Sequence, residues 1–178
     1  QQGMSEINAE LLAKGLTDCL SGGTLEIPEE EIQGILQQYF KELQEKQFEG
    51  NITEGKKYLL ENSKREGVTT LESGLQYEII TEGTGEFPKE TDSVTTHYHG
   101  TLINGTTFDS SIDRGEPATF PVNGVIKGWV EALQLMKTGS KWRLYVPEDL
   151  AYGANPHPGG PIEPYSTLIF DIELISIN

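Results

Sequence analysis

Six aromatic side chains, Tyr98, Phe108, Phe120, Trp129, Tyr152 and Phe170, three aliphatic ones, Val125, Ile126 and Ile162, and one carboxylate, Asp109 of the run Phe108-Asp109-Ser110-Ser111, are the residues whose types could work together. A carboxylate beside apolar surface can orient a phenol or act electrostatically on a polarised carbonyl, without covalent attack. Taken by type alone, the same rings are what any half-buried sheet uses, and a plain core outranks a ligand cup. Asp109 by itself reads as the cap or turn residue of a hairpin end. His97 and His99 share one face of a strand, but no third ligand follows at a recognisable spacing, so no metal site is expected. His157, between Pro156 and Pro158, either edges a pocket or is solvated. Cys19 is the single cysteine, which excludes an intrachain disulfide. With no cation placed to lower its pKa, it reads as a small core residue.

The elements that must position these groups fall into two parts. Composition changes near Gly67, between residues 65 and 72, from charged helical stretches to alternating strands, which gives an expected division into 1–66 and 67–178. In the first part, Asn8 can cap a short helix carrying Leu11, Leu12, Leu16 and Leu20, ended by Gly22 and Gly23. Pro28 suits the first position of a second helix, Glu29 to Glu31 favour its positive end, and Ile32, Ile35, Leu36, Tyr39, Phe40 and Leu43 form a stripe. The pattern continues through Phe48, Ile52 and Leu59 to Ser63 despite Gly34, Gly50 and Gly55, predicting one helix of roughly 35 residues, on the order of 50 Å long. Part of so long a helix stands free or packs on another chain.

The second part predicts strands over 75–81 and 94–103, a two-residue hairpin turn at Asn104-Gly105 returning through 106–109, and a short strand over 118–122. A helix follows over 125–136, then strands over 141–146 and 167–177. The class is α+β: a curved antiparallel sheet wrapped around a short helix, preceded by an all-α extension with a long helix. If Tyr98 faces inward, His97 and His99 face the other side of the sheet.

The 178 residues carry a formal net charge of −15, which argues against nucleic acid or an anionic membrane surface as a partner. No run is long enough to cross a bilayer. The chain opens on Gln1-Gln2-Gly3, without a basic-then-apolar leader, so a targeting segment removed from it is expected, with periplasm or cell envelope ahead of cytoplasm.

Four segments in order, His97-Tyr98-His99-Gly100, Phe108-Asp109-Ser110-Ser111, Val125-Ile126-Lys127-Gly128-Trp129 and Ala151-Tyr152-Gly153 followed by Thr167-Leu168-Ile169-Phe170-Asp171, resemble the FK506-binding (FKBP) family over about Ser73 to Asn178. The resemblance implies a peptidyl-prolyl cis/trans isomerase with no cofactor and no metal. It implies Trp129 as the floor of an apolar cup and Tyr98, Phe108, Phe120, Val125, Ile126 and Phe170 as its walls. Tyr152 would offer a hydroxyl to a carbonyl of the ligand, Ile162 its backbone N–H, and Asp109 electrostatic help, which makes Asp109, Tyr98 and Tyr152 the expected catalytic group. Expected partners are proline-containing unfolded or partly folded polypeptides, with FK506 and rapamycin-type macrolides as inhibitors.

The N-terminal half resembles the helical extension of the macrophage-infectivity-potentiator subgroup, which joins two FKBP domains, so a homodimer through these helices and a chaperone arm are implied. In that subgroup a further apolar helix precedes the part matching Met4 to Leu20. The loop 153–164, with four prolines and three glycines, departs from the best-known family form at Gly159-Gly160-Pro161, which bears on substrate preference. Two other readings are a non-catalytic scaffold of the same fold and a holdase working through the helices; the complete set of cup residues favours the enzyme.

Overall fold

The computed structural model describes residues 8–21 and 29–178. By compactness the chain divides into residues 1–47 and 48–178. In the first unit, α1 spans Ala9–Leu20 and α2 spans Glu29–Gln47. The side chain of Asn8 accepts hydrogen bonds from the backbone N–H of Glu10 at 3.0 Å and of Leu11 at 3.2 Å, the cap its type and place predict. Leu11, Leu12, Leu16 and Leu20 on α1 and Ile35, Leu36, Tyr39 and Phe40 on α2 are exposed in the single chain. Pro28, Gly22, Gly23 and the side chain of Cys19, to which the sequence assigns roles, lie outside what is described. No described helix is long and apolar enough to cross a membrane.

The predicted 35-residue helix is interrupted. A third helix, α3, spans Glu49–Asn62, and Phe48 between α2 and α3 leaves the helical region at φ −110°, ψ 23°. The helical stripe runs straight across this point, but local propensity is weak there, with Gly50 just beyond, and packing decides. α3 is fixed to the back of the sheet. Tyr58 meets the ring of Tyr145, and Asn62 Nδ2 donates to Gln76 Oε1 at 2.9 Å, while Gln76 Nε2 donates to the carbonyl of Leu59. Gly55 is buried against Thr167 so closely that an added Cβ would stand 2.4 Å from Thr167 Oγ1. Gly55→Ala is therefore expected to destabilise the protein by about 1–3 kcal/mol. Adding Thr167→Ala should recover part of that loss, a coupling that denaturant unfolding of the two single variants and the double variant measures.

Seven strands form one sheet: β1 (Val68–Thr70), β2 (Gln76–Thr81), β3 (Ser93–Leu102), β4 (Thr107–Ser110), β5 (Ala118–Pro121), β6 (Lys141–Val146) and β7 (Leu168–Ile177). The order is β1-β2-β6-β7-β3-β4, with β5 sharing the outer edge of β3 with β4, and every pairing is antiparallel. Alternation in β3 and β7 turns Val94, Thr96, Tyr98, Leu168, Phe170, Ile172 and Leu174 inward. They close on α5 (Lys127–Leu135), whose Trp129, Ala132 and Leu133, with Met136 just past its end, share one buried helical face. Trp142 on β6 completes this core and stacks on Tyr77 at 4.3 Å.

Two predicted details are corrected. The β3–β4 turn holds three residues, Ile103 to Gly105, because Leu102 N–H donates to the carbonyl of Thr106 and Gly105 N–H to that of Leu102. A two-residue type I′ turn needs positive φ at both central residues, but here only Gly105 has it, at +85°, while Asn104 instead accepts from Thr106 N–H. The core helix starts at Lys127 rather than Val125: Ile126 is extended at φ −60°, ψ 150° and acts as the N-cap. A short helix, α4 (Ser111–Arg114), and the strand β1 are additions to the predicted set.

Candidate functional site

At one end of α5 the sheet opens into a cavity of about 740 Å³. All ten residues assigned to the site from the sequence line it, which brings together segments between β3 and β7 that are far apart in the chain. Trp129 forms the floor, 4% exposed, because the first turn of α5 points into the concave face. Three rings meet it: Phe170 at 5.2 Å and Tyr98 at 5.4 Å between centroids, and Phe120 at 5.9 Å, all edge-on. Phe108 meets Phe170 at 5.4 Å, also edge-on. These are the favourable geometries for aromatic quadrupoles and hold the rings rigid. Val125 and Ile126 reach the wall because they precede the helix. Tyr152, Ile162 and His157 come from the loop that closes the cavity on its remaining side.

Gly100, inward on β3, lets Phe108 and Phe170 lie against the strand. A Cβ there would come within 2.6 Å of Phe108 ring atoms and 3.1 Å of Phe170. The sequence alone places neither Gly100, Gly124 and Gly160 nor Arg114 in the site; Gly124 and Gly160 line the cavity directly.

Arg114 is the substantive addition. Ser110 caps α4 by accepting from Asp113 N–H at 3.1 Å, and Gly115 ends it at φ +79°, so this single turn carries Arg114 back over the hairpin end. Tyr98 Oη donates to Asp109 Oδ2 at 2.6 Å, Arg114 Nη2 donates to Tyr98 Oη at 2.7 Å, and Arg114 Nη1 pairs with Asp109 Oδ1. The guanidinium also lies over the Tyr98 ring at 5.5 Å. A Ser five residues ahead of a Gly, with Asp113 and Arg114 in the four residues between them, is the available signal for this turn.

Electrostatics follow from that triangle. Partial burial opposes the Asp109 carboxylate, yet hydrogen bonds from Tyr98 and Arg114 and the Arg114 charge outweigh it and hold its pKa below the ordinary value. Burial, then the bond to Asp109, pushes the Tyr98 phenol up, and burial followed by the Asp109 charge does the same to Tyr152. Asp109 is thus ionised and both phenols are protonated across neutral pH. Isomerisation measured by exchange NMR should be flat in kcat/KM from about pH 5 to 9 and fall only on the acid side of the carboxylate's range, below about pH 4. The sign for stability agrees: a depressed carboxylate contributes above its unfolded pKa and its contribution is lost as pH falls through the folded one.

His97 and His99 point to the opposite side of the sheet from Tyr98, as alternation requires, and His97 Nδ1 lies 3.0 Å from Ser111 Oγ. Among the described residues no group of three His, Cys, Asp or Glu side chains is placed to hold a metal.

An antiparallel sheet curled on a short helix, with an aromatic-floored cup at the helix start, defines the FKBP isomerase class. The chain belongs to the FKBP-type peptidyl-prolyl cis-trans isomerase family: that family's model matches residues 84–175, and the model of the domain amino-terminal to such isomerases matches residues 1–79. It is 46% identical to the FKBP-type 22 kDa peptidyl-prolyl cis-trans isomerase of Escherichia coli strain K12, over 99% of this chain and 87% of the relative. It is 48% identical to the outer membrane protein MIP of Legionella longbeachae, over 97% of this chain and 77% of that protein. The crystal structure of FkpA from Escherichia coli matches 97% of this chain and 83% of its own, with a TM-score of 0.72 at 38% identity.

Proposed function

We propose that the cup is where the isomerase twists its substrate, with Trp129 under the prolyl ring and Tyr98, Asp109 and Tyr152 as the polar groups at its rim. The observation that carries this reading is the Tyr98–Asp109–Arg114 triangle set into an otherwise aromatic wall. Rotation about an Xaa-Pro bond is slow because amide resonance must be broken, at a barrier of roughly 18–20 kcal/mol. The twisted amide has lost that resonance, so its carbonyl is less polarised and it loses less than the planar amide on entering a water-poor cup. The edge-on rings of Phe108, Phe120 and Phe170 exclude water without offering competing donors. The charge on Asp109 lies near enough to act on the carbonyl as it twists, while Arg114 keeps the carboxylate aimed. The Tyr152 hydroxyl and the Ile162 N–H take the substrate's flanking carbonyls.

The substrates are proline-containing unfolded or partly folded polypeptides, and FK506 or rapamycin-type macrolides occupy the same cup. Residues 1–66 act as a chaperone arm and dimer handle for the isomerase part, 67–178. The apolar stripes exposed on α1 and α2 in the single chain support pairing with a second copy. The test is the refolding of a client whose slow phase is prolyl isomerisation, with sedimentation velocity run alongside. A dimer that accelerates the slow phase, with FK506 removing the acceleration, is the expected result. Acceleration that persists under FK506 would place it outside the cup, and suppressed aggregation without acceleration would leave the helices acting as a holdase.

A further inference from the structure

The loop that brings Tyr152, His157 and Ile162 to the cup contains no helix or strand before β7 begins at Leu168, so its course is set by its ties to the rest of the fold. One tie closes its base: Tyr165 N–H donates to the carbonyl of Gly153 at 2.8 Å. Tyr165 is 5% exposed and has φ +60°, alone among the described residues other than glycine in taking a positive value. A bulky L side chain keeps that conformation only where its surroundings fix it. Another tie comes from outside the loop, at the residue directly before Tyr165. Asn51, near the start of α3, places one Nδ2 hydrogen on the carbonyl of Pro164 at 3.0 Å and the other on Glu163 Oε2 at 3.2 Å. A carbonyl and a carboxylate only accept, so the amide nitrogen must face the loop. α3 is itself held on the sheet by Gly55 against Thr167, Tyr58 against Tyr145 and Asn62 on Gln76, so Asn51 stands on a fixed post.

We propose that Asn51 is a positioning residue for the isomerase: by holding Glu163 and the Pro164 carbonyl it sets the place of Ile162, and with it the backbone N–H that takes a flanking carbonyl of the substrate, an inference that rests on the reading of the cup given above. The amino-terminal domain model covers Asn51 and the isomerase model covers the loop, so a residue outside the isomerase part fixes one wall of its cup. Asn51 touches no substrate and acts only through the loop. A flanking carbonyl stays in place while the prolyl bond turns, so its hydrogen bond is as strong in the planar state as in the twisted one. Losing that bond raises KM and leaves kcat in place.

The test measures kcat and KM separately by exchange NMR on one Leu-Pro peptide, for the full chain and for Asn51→Ala, Asn51→Asp and Asn51→Asp/Glu163→Gln, with thermal unfolding alongside. Asn51→Ala removes both donors and should raise KM about threefold to tenfold, the effect of one hydrogen bond, with kcat within about twofold of the unaltered protein. The thermal midpoint should move by no more than about 5 °C. Asn51→Asp sets a carboxylate against a carbonyl and a carboxylate and should raise KM at least as far. Adding Glu163→Gln supplies an amide donor to that new carboxylate, which rebuilds one bond with donor and acceptor exchanged, and KM should return part of the way. A KM unchanged in Asn51→Ala, or a loss that falls on kcat and is not eased by Glu163→Gln, overturns the inference while leaving the cup intact. If the unaltered protein does not turn the peptide over, the reading of the cup fails and this inference falls with it.

Discussion

Asp109→Ala lowers kcat/KM for prolyl isomerisation by about tenfold to a hundredfold and moves the thermal midpoint little. The first expectation comes from geometry: Asp109 is the only carboxylate among the described residues that line the cup, and it receives bonds from both Tyr98 and Arg114. The second comes from exposure, since the Asp109 and Arg114 side chains are 45% and 46% accessible and a half-solvated ion pair contributes little to folding. Asp109→Asn separates the roles further. Asparagine keeps an acceptor for the Tyr98 hydroxyl and loses the charge, so recovery of most of the activity would assign Asp109 to orienting the phenol, and a loss as deep as that of alanine to electrostatics. Isomerisation rates of the two variants against the same peptide decide it. A change under about twofold in both would remove Asp109 from the mechanism.

Gly100→Ala should be the most damaging small substitution in the cup. The new methyl would sit within 2.6 Å of two ring atoms of Phe108, a distance that no real contact tolerates, and 3.1 Å from Phe170. Either the Phe108 wall swings away or the β3–β7 pairing opposite Gly100 spreads, and overpacking of this kind costs about 1–3 kcal/mol. Because Phe170 in turn packs on Trp129, the floor shifts with the wall, and kcat/KM is expected to fall about tenfold or more. Phe108→Ala added to Gly100→Ala relieves the clash, so stability by denaturant unfolding should partly recover while activity does not. A single Gly100→Ala variant with normal stability and normal turnover would contradict the packing described here.

What the sequence reveals and what it hides divide along physical lines. Positions governed by a local period are legible: the Asn8 cap, the inward set of β3, and the buried face of α5 all follow from side-chain direction. The aromatic cup is legible through the order of its segments, since no period links Phe108 to Phe170. Arg114 is hidden because its role depends on a one-turn helix, whose cap and αL glycine form a signal only when taken together. The break at Phe48 is hidden for the opposite reason, since the apolar stripe runs through it and only the docking of α3, by Gly55 on Thr167, Tyr58 on Tyr145 and Asn62 on Gln76, shows where the sheet takes hold of the helix. The tie from α3 to the loop joins Asn51 to Glu163, 112 residues apart, and no local pattern in either segment announces the other.

The most direct measurement is the cis/trans exchange rate of a short Leu-Pro peptide with the protein alone and with saturating FK506. Acceleration by the protein that FK506 abolishes is the predicted result and puts catalysis in the aromatic cup. Tight FK506 binding without acceleration, or acceleration indifferent to FK506, would contradict it.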